Sequence, residues 1–219
     1  MGRFDVCYAA EAGNLHEVKR LIKSGVDIET RDPLRKRTPL HFAAIRDDID
    51  MAKYLCDAGA DPDARMVRSG TPLMICAYYG SARVLRLLLS LGVYKAALDY
   101  GGWTALHYAC NYGRVNCVPH LLEPIATVQS TELRFSPFHL ACRSGDVEII
   151  RMLVENGAEV NALAGLKLTP LHMAAQGDHI EACKYLLQQG ADPNAEDEAG
   201  IKPGRLAKNH ELKELLLSA

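Results

Sequence analysis

The chain has 219 residues, of which 48% are hydrophobic and 24% are charged, and its formal net charge is −2 at pH 7. No apolar run in the sequence approaches the roughly 18 residues that a membrane-spanning helix needs, and the slightly acidic balance is unlike that of a basic nucleic-acid-binding domain. These values exclude a membrane-spanning class, disfavour nucleic acid as a ligand and supply enough apolar residues for a continuous core.

A four-residue phrase recurs six times along the chain. Its copies are Thr38–His41, Thr71–Met74, Thr104–His107, Ser136–His139, Thr169–His172 and the degraded Lys202–Arg205. Successive copies begin 32 or 33 residues apart, which is the signature of a repeat array. Arrays of this kind usually bind proteins and catalyse nothing.

Each copy of the phrase predicts the start of a short helix. The Thr or Ser hydroxyl can cap the helix, and Pro suits the first helical position because its missing N–H would have no partner there. A second helix follows, with apolar residues at helical spacing, as in Leu85 and Leu88 or Ile150 and Val154. Its end is predicted by a glycine that supplies a left-handed turn. These glycines are Gly25, Gly59, Gly92, Gly157 and Gly190.

This order of helix, turn, helix, glycine and loop, at a period of about 33 residues, resembles the ankyrin repeat. The resemblance runs from about Phe4 to Leu217, and the Thr-Pro-Leu-His phrase favours it over a tetratricopeptide array. It implies an all-α solenoid of stacked helix-turn-helix units with projecting loops. The predicted domain is one array, 1–219, whose polar ends suggest a complete chain. Its units are an N-terminal cap 1–31, internal repeats 32–65, 66–98, 99–130, 131–163 and 164–196, and a C-terminal cap 197–219.

The cysteines and histidines are interpreted as structural. The seven cysteines form no Cys-x-x-Cys pair and mostly occupy positions where other repeats have small apolar residues, which is typical of core thiols. Four of the eight histidines belong to the phrase, and the ankyrin resemblance implies that their rings tie adjacent loops together. Successive repeats lie about 8–10 Å apart, too far for these rings to share one metal ion at about 2 Å.

Recognisable catalytic motifs are missing from the sequence. It contains no phosphate-binding Gly-x-x-x-x-Gly-Lys loop, no Gly-x-Ser-x-Gly elbow and no His-Glu-x-x-His helix. We therefore expect a protein that is not an enzyme and needs neither cofactor nor metal.

The ankyrin resemblance implies that a partner lies in a concave groove, formed by the projecting loops, or fingers, and by the ends of the first helices, or palm. The candidate finger residues are Arg35, Arg37, Arg68, Tyr100, Trp103 and Phe135, and the candidate palm residues are Arg46, Tyr78, Tyr79, Tyr112 and Arg143. The first two fingers are basic and the aromatic residues lie beside them, so the predicted partner is a protein segment with acidic and apolar residues. Trp103 is placed at a fingertip outside the core, where its truncation should lower binding more than stability.

Two repeats depart from the pattern. The first finger, 33–37, has one extra residue and should protrude. In the fourth repeat Pro119 falls inside the second helix, and Glu123–Ala126 replaces the terminating glycine, so this helix should be shortened or kinked. Local adaptation to a partner and tolerated drift both remain open as explanations.

The predicted function is that of a monomeric protein-interaction module, an adaptor, scaffold or inhibitor, in the cytoplasm or nucleus. An assembly chaperone or a regulatory subunit of a larger complex is the alternative, and a nucleic-acid-contacting protein that uses the basic fingers is a weaker one. Asn161 follows Leu153 at a spacing that resembles the pattern recognised by an asparaginyl hydroxylase of ankyrin repeats, which makes it the candidate modification site.

Overall fold

A computed structural model describes residues 5–122 and 135–218 of the chain. Within these ranges the regular elements are helices and short 3-10 turns, as the sequence predicts. The chain divides into two compact units, Met1–Tyr108 and Ala109–Ala219.

The first unit is built from paired short helices. They are α1 (Asp5–Glu11), α2 (Leu15–Lys23), α3 (Pro39–Arg46), α4 (Ile49–Asp57), α5 (Pro72–Tyr79) and α6 (Ala82–Ser90), followed by α7 (Ala105–Asn111), which begins in this unit. First helices pack on first helices, since α3 contacts both α1 and α5, while the second helices α4 and α6 pack on each other. This is the layering expected of a stacked repeat array.

The second unit repeats this arrangement. Its helices are α8 (Val118–Leu121), α9 (Pro137–Ser144), α10 (Val147–Glu155), α11 (Pro170–Gln176), α12 (Ile180–Gln188), α13 (Pro203–Leu206) and α14 (His210–Ser218). Here α11 packs between α9 and α13, and α10 packs on α12.

The helix boundaries confirm the roles predicted for the phrase and the glycines. The hydroxyl of Thr71 accepts a hydrogen bond from the Met74 backbone N–H at 3.3 Å, and Thr169 does the same for His172 at 3.4 Å. All five predicted terminating glycines have positive φ; Gly59, at φ 94°, adopts a conformation that a side chain would strain.

The phrase histidines link neighbouring loops, as the resemblance implied. In the first unit His41 Nε2 lies 3.3 Å from the Gly70 carbonyl oxygen, and in the second His172 Nε2 lies 2.9 Å from that of Ile201. His107 differs, because its buried Nε2 has no hydrogen-bond partner among the described residues. Burial lowers the pKa of His41 and of His107 to about 4 in each case.

The cysteines fill the core, as expected. All seven are free thiols and six are buried, while Cys56 is half-buried. Burial raises the pKa of Cys7 and of Cys183 to about 12. These thiols therefore behave as small apolar side chains.

The fourth repeat has a shortened second helix, as predicted. Helix α8 has 4 residues with Pro119 in its first turn, whereas α6 and α10 have 9 each. Pro119 is tolerated there because the start of a helix needs no N–H donor. The predicted substitution of the terminating glycine, at 123–126, lies outside the described residues.

Candidate protein-interaction surface

Three fingers of the first unit are joined into one ladder of backbone hydrogen bonds. Each finger closes on itself: Asp32 N–H donates to the Arg37 carbonyl at 2.9 Å, and Asp99 N–H donates to that of Trp103 at 3.1 Å. Adjacent fingers are also bonded, because the N–H of Val67 donates to Arg35 and that of Tyr100 donates to Arg68, at 2.9 and 3.0 Å. The ladder holds the fingertips in a fixed row.

The basic fingertip residues do not all face solvent. Arg35 and Arg68 are exposed, as predicted. Arg37 was expected to meet a partner, but its guanidinium is already engaged: it pairs with Asp32 at 3.2 Å and lies 4.4 Å from the centroid of the Phe42 ring. Its side chain is 19% exposed. Burial raises the pKa of Asp32, but hydrogen bonds from Arg37 and from the Arg35 backbone outweigh burial, so that pKa lies below its usual value.

Other arginines stabilise the fingers through hydrogen bonds to backbone carbonyl groups. The Arg31 guanidinium donates to the Arg65 carbonyl, and the Arg65 guanidinium donates to the Leu98 carbonyl at 3.1 Å. In the palm, Arg46 is exposed but donates to the Glu11 carbonyl at 3.1 Å. Part of the positive charge predicted to face a partner therefore stabilises the loops.

An aromatic cluster spans the palm and the third finger of this unit, and we define it as Tyr78, Tyr79, Trp103 and Tyr108. The Tyr78 ring centroid lies 4.9 Å from that of Tyr79 and 6.0 Å from that of Tyr108, and the Trp103 ring meets Tyr108 edge-on at 5.1 Å. Tyr79 is 48% exposed at one end of the cluster. The sequence-based prediction missed Tyr108, because the corresponding residues in other repeats, such as Phe42 and Leu140, are buried in the core.

The Trp103 side chain differs from the expectation that it lies outside the core. Its ring is half-buried, stacks on His107 with centroids 6.2 Å apart and packs against Tyr108. The Tyr108 hydroxyl donates to the Asp99 carboxylate at 2.6 Å, and the same carboxylate accepts from the Trp103 backbone N–H at 2.9 Å. The indole is thus part of the support of the third finger, whereas Tyr100 at the tip is 82% exposed.

The second unit brings together a smaller set of candidates. Arg143 donates to the Asn111 side-chain oxygen, and its guanidinium lies 5.9 Å from the Phe135 ring centroid. Tyr112 is 41% exposed. Asn161 is exposed but its amide is engaged, since it donates to the Gly190 carbonyl at 3.0 Å and accepts from the Asp192 N–H at 2.9 Å.

Neither a metal centre nor a bilayer-crossing element is present in the described ranges. Over residues 5–122 and 135–218, no three His, Cys, Asp or Glu side chains converge as metal ligands would. None of the helices described combines the length and the apolar character that crossing a bilayer requires.

Stacked helix pairs, phrase histidines that bridge loops and a row of bonded fingers define a repeat protein of the interaction-module class. The sequence model of ankyrin repeats (3 copies) matches residues 61–132 and 126–197, and that of ankyrin repeats (many copies) matches residues 6–56. The chain belongs to the ankyrin repeat family.

Curated relatives agree with this assignment over part of their length. The chain is 30% identical over 153 residues to the ankyrin repeat protein nuc-2 of Neurospora crassa, and 32% identical over 155 residues to the B-cell lymphoma 3 protein homolog of Mus musculus. Each match covers 68% of this chain, but only 14% and 34% of those proteins. The chain therefore spans a minor part of the relatives that it matches.

Two solved ankyrin structures share the fold. The human ASB11 ankyrin repeat domain is 28% identical with a TM-score of 0.86, and the match covers 97% of this chain and 96% of that one. The ankyrin repeat domain of Bcl-3, described as a unique member of the IkappaB protein family, is 26% identical with a TM-score of 0.76 and coverage of 98% and 97%.

Proposed function

We propose that this chain is a non-enzymatic module that binds a partner protein through the fingers and palm of its first unit. Ankyrin repeat domains are protein-interaction modules. The observation that carries the proposal is the contiguous aromatic cluster, which ends in the exposed Tyr79 and lies in the same unit as the exposed Arg35 and Arg68. Tyrosine, tryptophan and arginine are the residue types that dominate the energetics of protein interfaces.

The chemistry of the surface favours a partner segment with acidic and apolar residues. Exposed arginines attract carboxylates and speed association, while the tyrosines supply apolar contact area. Such a module acts as an adaptor, scaffold or inhibitor. An assembly chaperone or a regulatory subunit would use the same contacts. Arg143, Phe135 and Tyr112 provide a second, smaller contact set in the other unit.

Nucleic acid is the weaker alternative. Phosphate binding requires guanidinium groups that are free to meet the backbone, but Arg37 is paired with Asp32, and Arg31 and Arg65 donate to carbonyl groups. Affinity for nucleic acid would also fall log-linearly with salt concentration, with a slope set by the number of phosphates contacted.

Affinity capture with matched variants tests the proposal. The wild-type chain, Tyr79→Ala and the control Tyr94→Ala, whose 65% exposed ring follows α6 outside the fingers, are used to capture proteins that mass spectrometry identifies. We expect at least one protein that the wild type and Tyr94→Ala retain and Tyr79→Ala loses. With that protein purified, Tyr79→Ala should weaken binding about thirtyfold, which corresponds to the loss of about 2 kcal/mol at a hot spot. Equal loss in both variants, or in neither, would refute the proposed surface.

A further inference from the structure

The second fingertip contains two adjacent non-glycine residues in the left-handed conformation. Arg68 and Ser69 both have positive φ, at 64° and 62°. Asn and Gly adopt left-handed conformations with less strain than other residues. The third finger follows that rule, with Gly102 at φ 75°. The second finger, like the Leu166–Lys167 turn of the second unit, instead has two non-glycine residues in this conformation.

This turn places the exposed side chain of Arg68 within a row of exposed apolar fingertip residues. Leu34, Val67 and Tyr100 are 83%, 46% and 82% exposed at successive fingers. Arg35 and Arg68 are exposed at the first two of these tips. We call these five residues the fingertip row. The tip segments 33–37, 66–70 and 100–103 contain no Asp or Glu, so the row is basic as well as apolar.

The hydrogen-bond ladder fixes the spacing of the row. Hydrogen bonds within a finger alternate with hydrogen bonds between fingers. The path from one finger to the equivalent point of the next therefore crosses two pairs of hydrogen-bonded backbone segments. At about 4.8 Å for each spacing, equivalent residues of adjacent fingers lie about 10 Å apart. A polyproline II segment advances about 3.1 Å per residue with three residues per turn, so its residues i and i+3 share one face about 9 Å apart.

We infer that the fingertip row binds an extended, polyproline II-like protein segment that carries an acidic residue at every third position, next to an aliphatic one. The carboxylates pair with Arg35 and Arg68, and the aliphatic side chains lie against Leu34, Val67 and Tyr100. The inference rests on the proposed interaction function and specifies the chemistry and spacing of the partner.

The probe is a fluorescein-labelled peptide with four Glu-Leu-Pro repeats, measured by fluorescence anisotropy against the full chain. A Lys-Leu-Pro peptide of the same length tests charge. A Glu-Leu-Pro-Pro peptide with three repeats tests spacing, because it moves the carboxylates out of step with the fingers. We expect the Glu-Leu-Pro peptide to bind, the Lys peptide not to bind, and the four-residue repeat to bind at least threefold more weakly.

A strain-relieving variant separates recognition from stability. The double substitution Arg68→Asn with Ser69→Gly installs the preferred turn residues, and it should raise the melting temperature by about 2–4 °C while weakening peptide binding about fivefold. The matched control is Leu166→Asn with Lys167→Gly in the second unit, where φ is 65° and 56°. It should raise the melting temperature similarly and leave affinity unchanged.

The following outcomes would overturn the inference: no binding of the Glu-Leu-Pro peptide, equal affinity for the two spacings, or equal loss of affinity in both double variants. A helical peptide with Glu at every seventh position also spans about 10 Å between carboxylates. Tighter binding of that peptide would refute the extended conformation. If a captured protein is lost with Tyr79→Ala while the peptides fail, the interaction function stands and only the inferred segment is wrong.

Discussion

Truncation of Trp103 is expected to destabilise the third finger as well as to weaken binding. The indole is half-buried against His107 and Tyr108. A large aromatic side chain buries up to about 250 Å², so burial of about two thirds of that area at about 25 cal/mol per Å² corresponds to a loss of about 4 kcal/mol in Trp103→Ala. Denaturant unfolding followed by circular dichroism measures this difference. The sequence alone predicted the opposite balance, with stability little changed.

The same substitution should change the titration of His107. Burial lowers the pKa of His107 to about 4, and the Trp103 ring stacks on this imidazole. Removal of the indole admits water to the ring, so its pKa should rise toward about 6.5, the value of an exposed histidine. His41, whose pKa is also about 4, lies in another repeat and serves as the internal control. NMR titration of both histidines measures the effect.

Two results would refute this account of Trp103. A loss of less than about 1 kcal/mol in Trp103→Ala would place the indole among ordinary surface substitutions. An unchanged pKa of His107 in a folded variant would show that groups other than the indole exclude water from the imidazole. The first result would return Trp103 to the candidate binding residues, although its ring is half-buried.

Three further predictions concern pH, local opening and modification. The pKa of His41 and of His107 is about 4 in the folded protein and about 6.5 in the unfolded chain. The unfolded chain therefore binds more protons between these values, so lowering the pH from 7 to 5 should reduce the free energy of unfolding by about 2 kcal/mol per histidine. Denaturant unfolding at pH 7 and at pH 5 measures this difference. Hydrogen exchange should be faster in 115–122, with its short helix, than in 147–156; equal protection would show that the irregular repeat packs as well as the regular one. We also propose Asn161 as a hydroxylation site: peptide mass spectrometry after treatment with the asparaginyl hydroxylase should show one added oxygen there, and an unmodified peptide would remove this proposal.

The helices and their ends were predictable because local chemistry determines them. Proline after a hydroxyl residue specifies the start of α5, and Gly92 specifies the end of α6, with no information needed from distant residues. The shortening of α8 was predictable for the same reason, since Pro119 cannot sit in a regular helix interior.

The chemistry of the candidate site was less predictable, because it depends on contacts that spacing does not reveal. Arg37 was assigned to binding from its place in a basic finger, but Asp32 lies five residues earlier and the turn brings the two side chains together. The Trp103 ring packs on Tyr108, a contact that the fingertip assignment of Trp103 did not consider. The fingertip exposures of Arg35 and Arg68 were predictable, since a turn leaves those side chains no core to enter.

Alkylation of the buried cysteines can report local unfolding of individual repeats. Only a thiolate reacts readily with an alkylating reagent, and burial suppresses thiolate formation at Cys7, Cys110 and Cys183. Cysteines occur in six different repeats of the predicted array, so each alkylated position reports the repeat that opened. A short pulse of iodoacetamide followed by peptide mapping would rank the repeats by local stability without any engineered label, with the half-buried Cys56 as the fast reference.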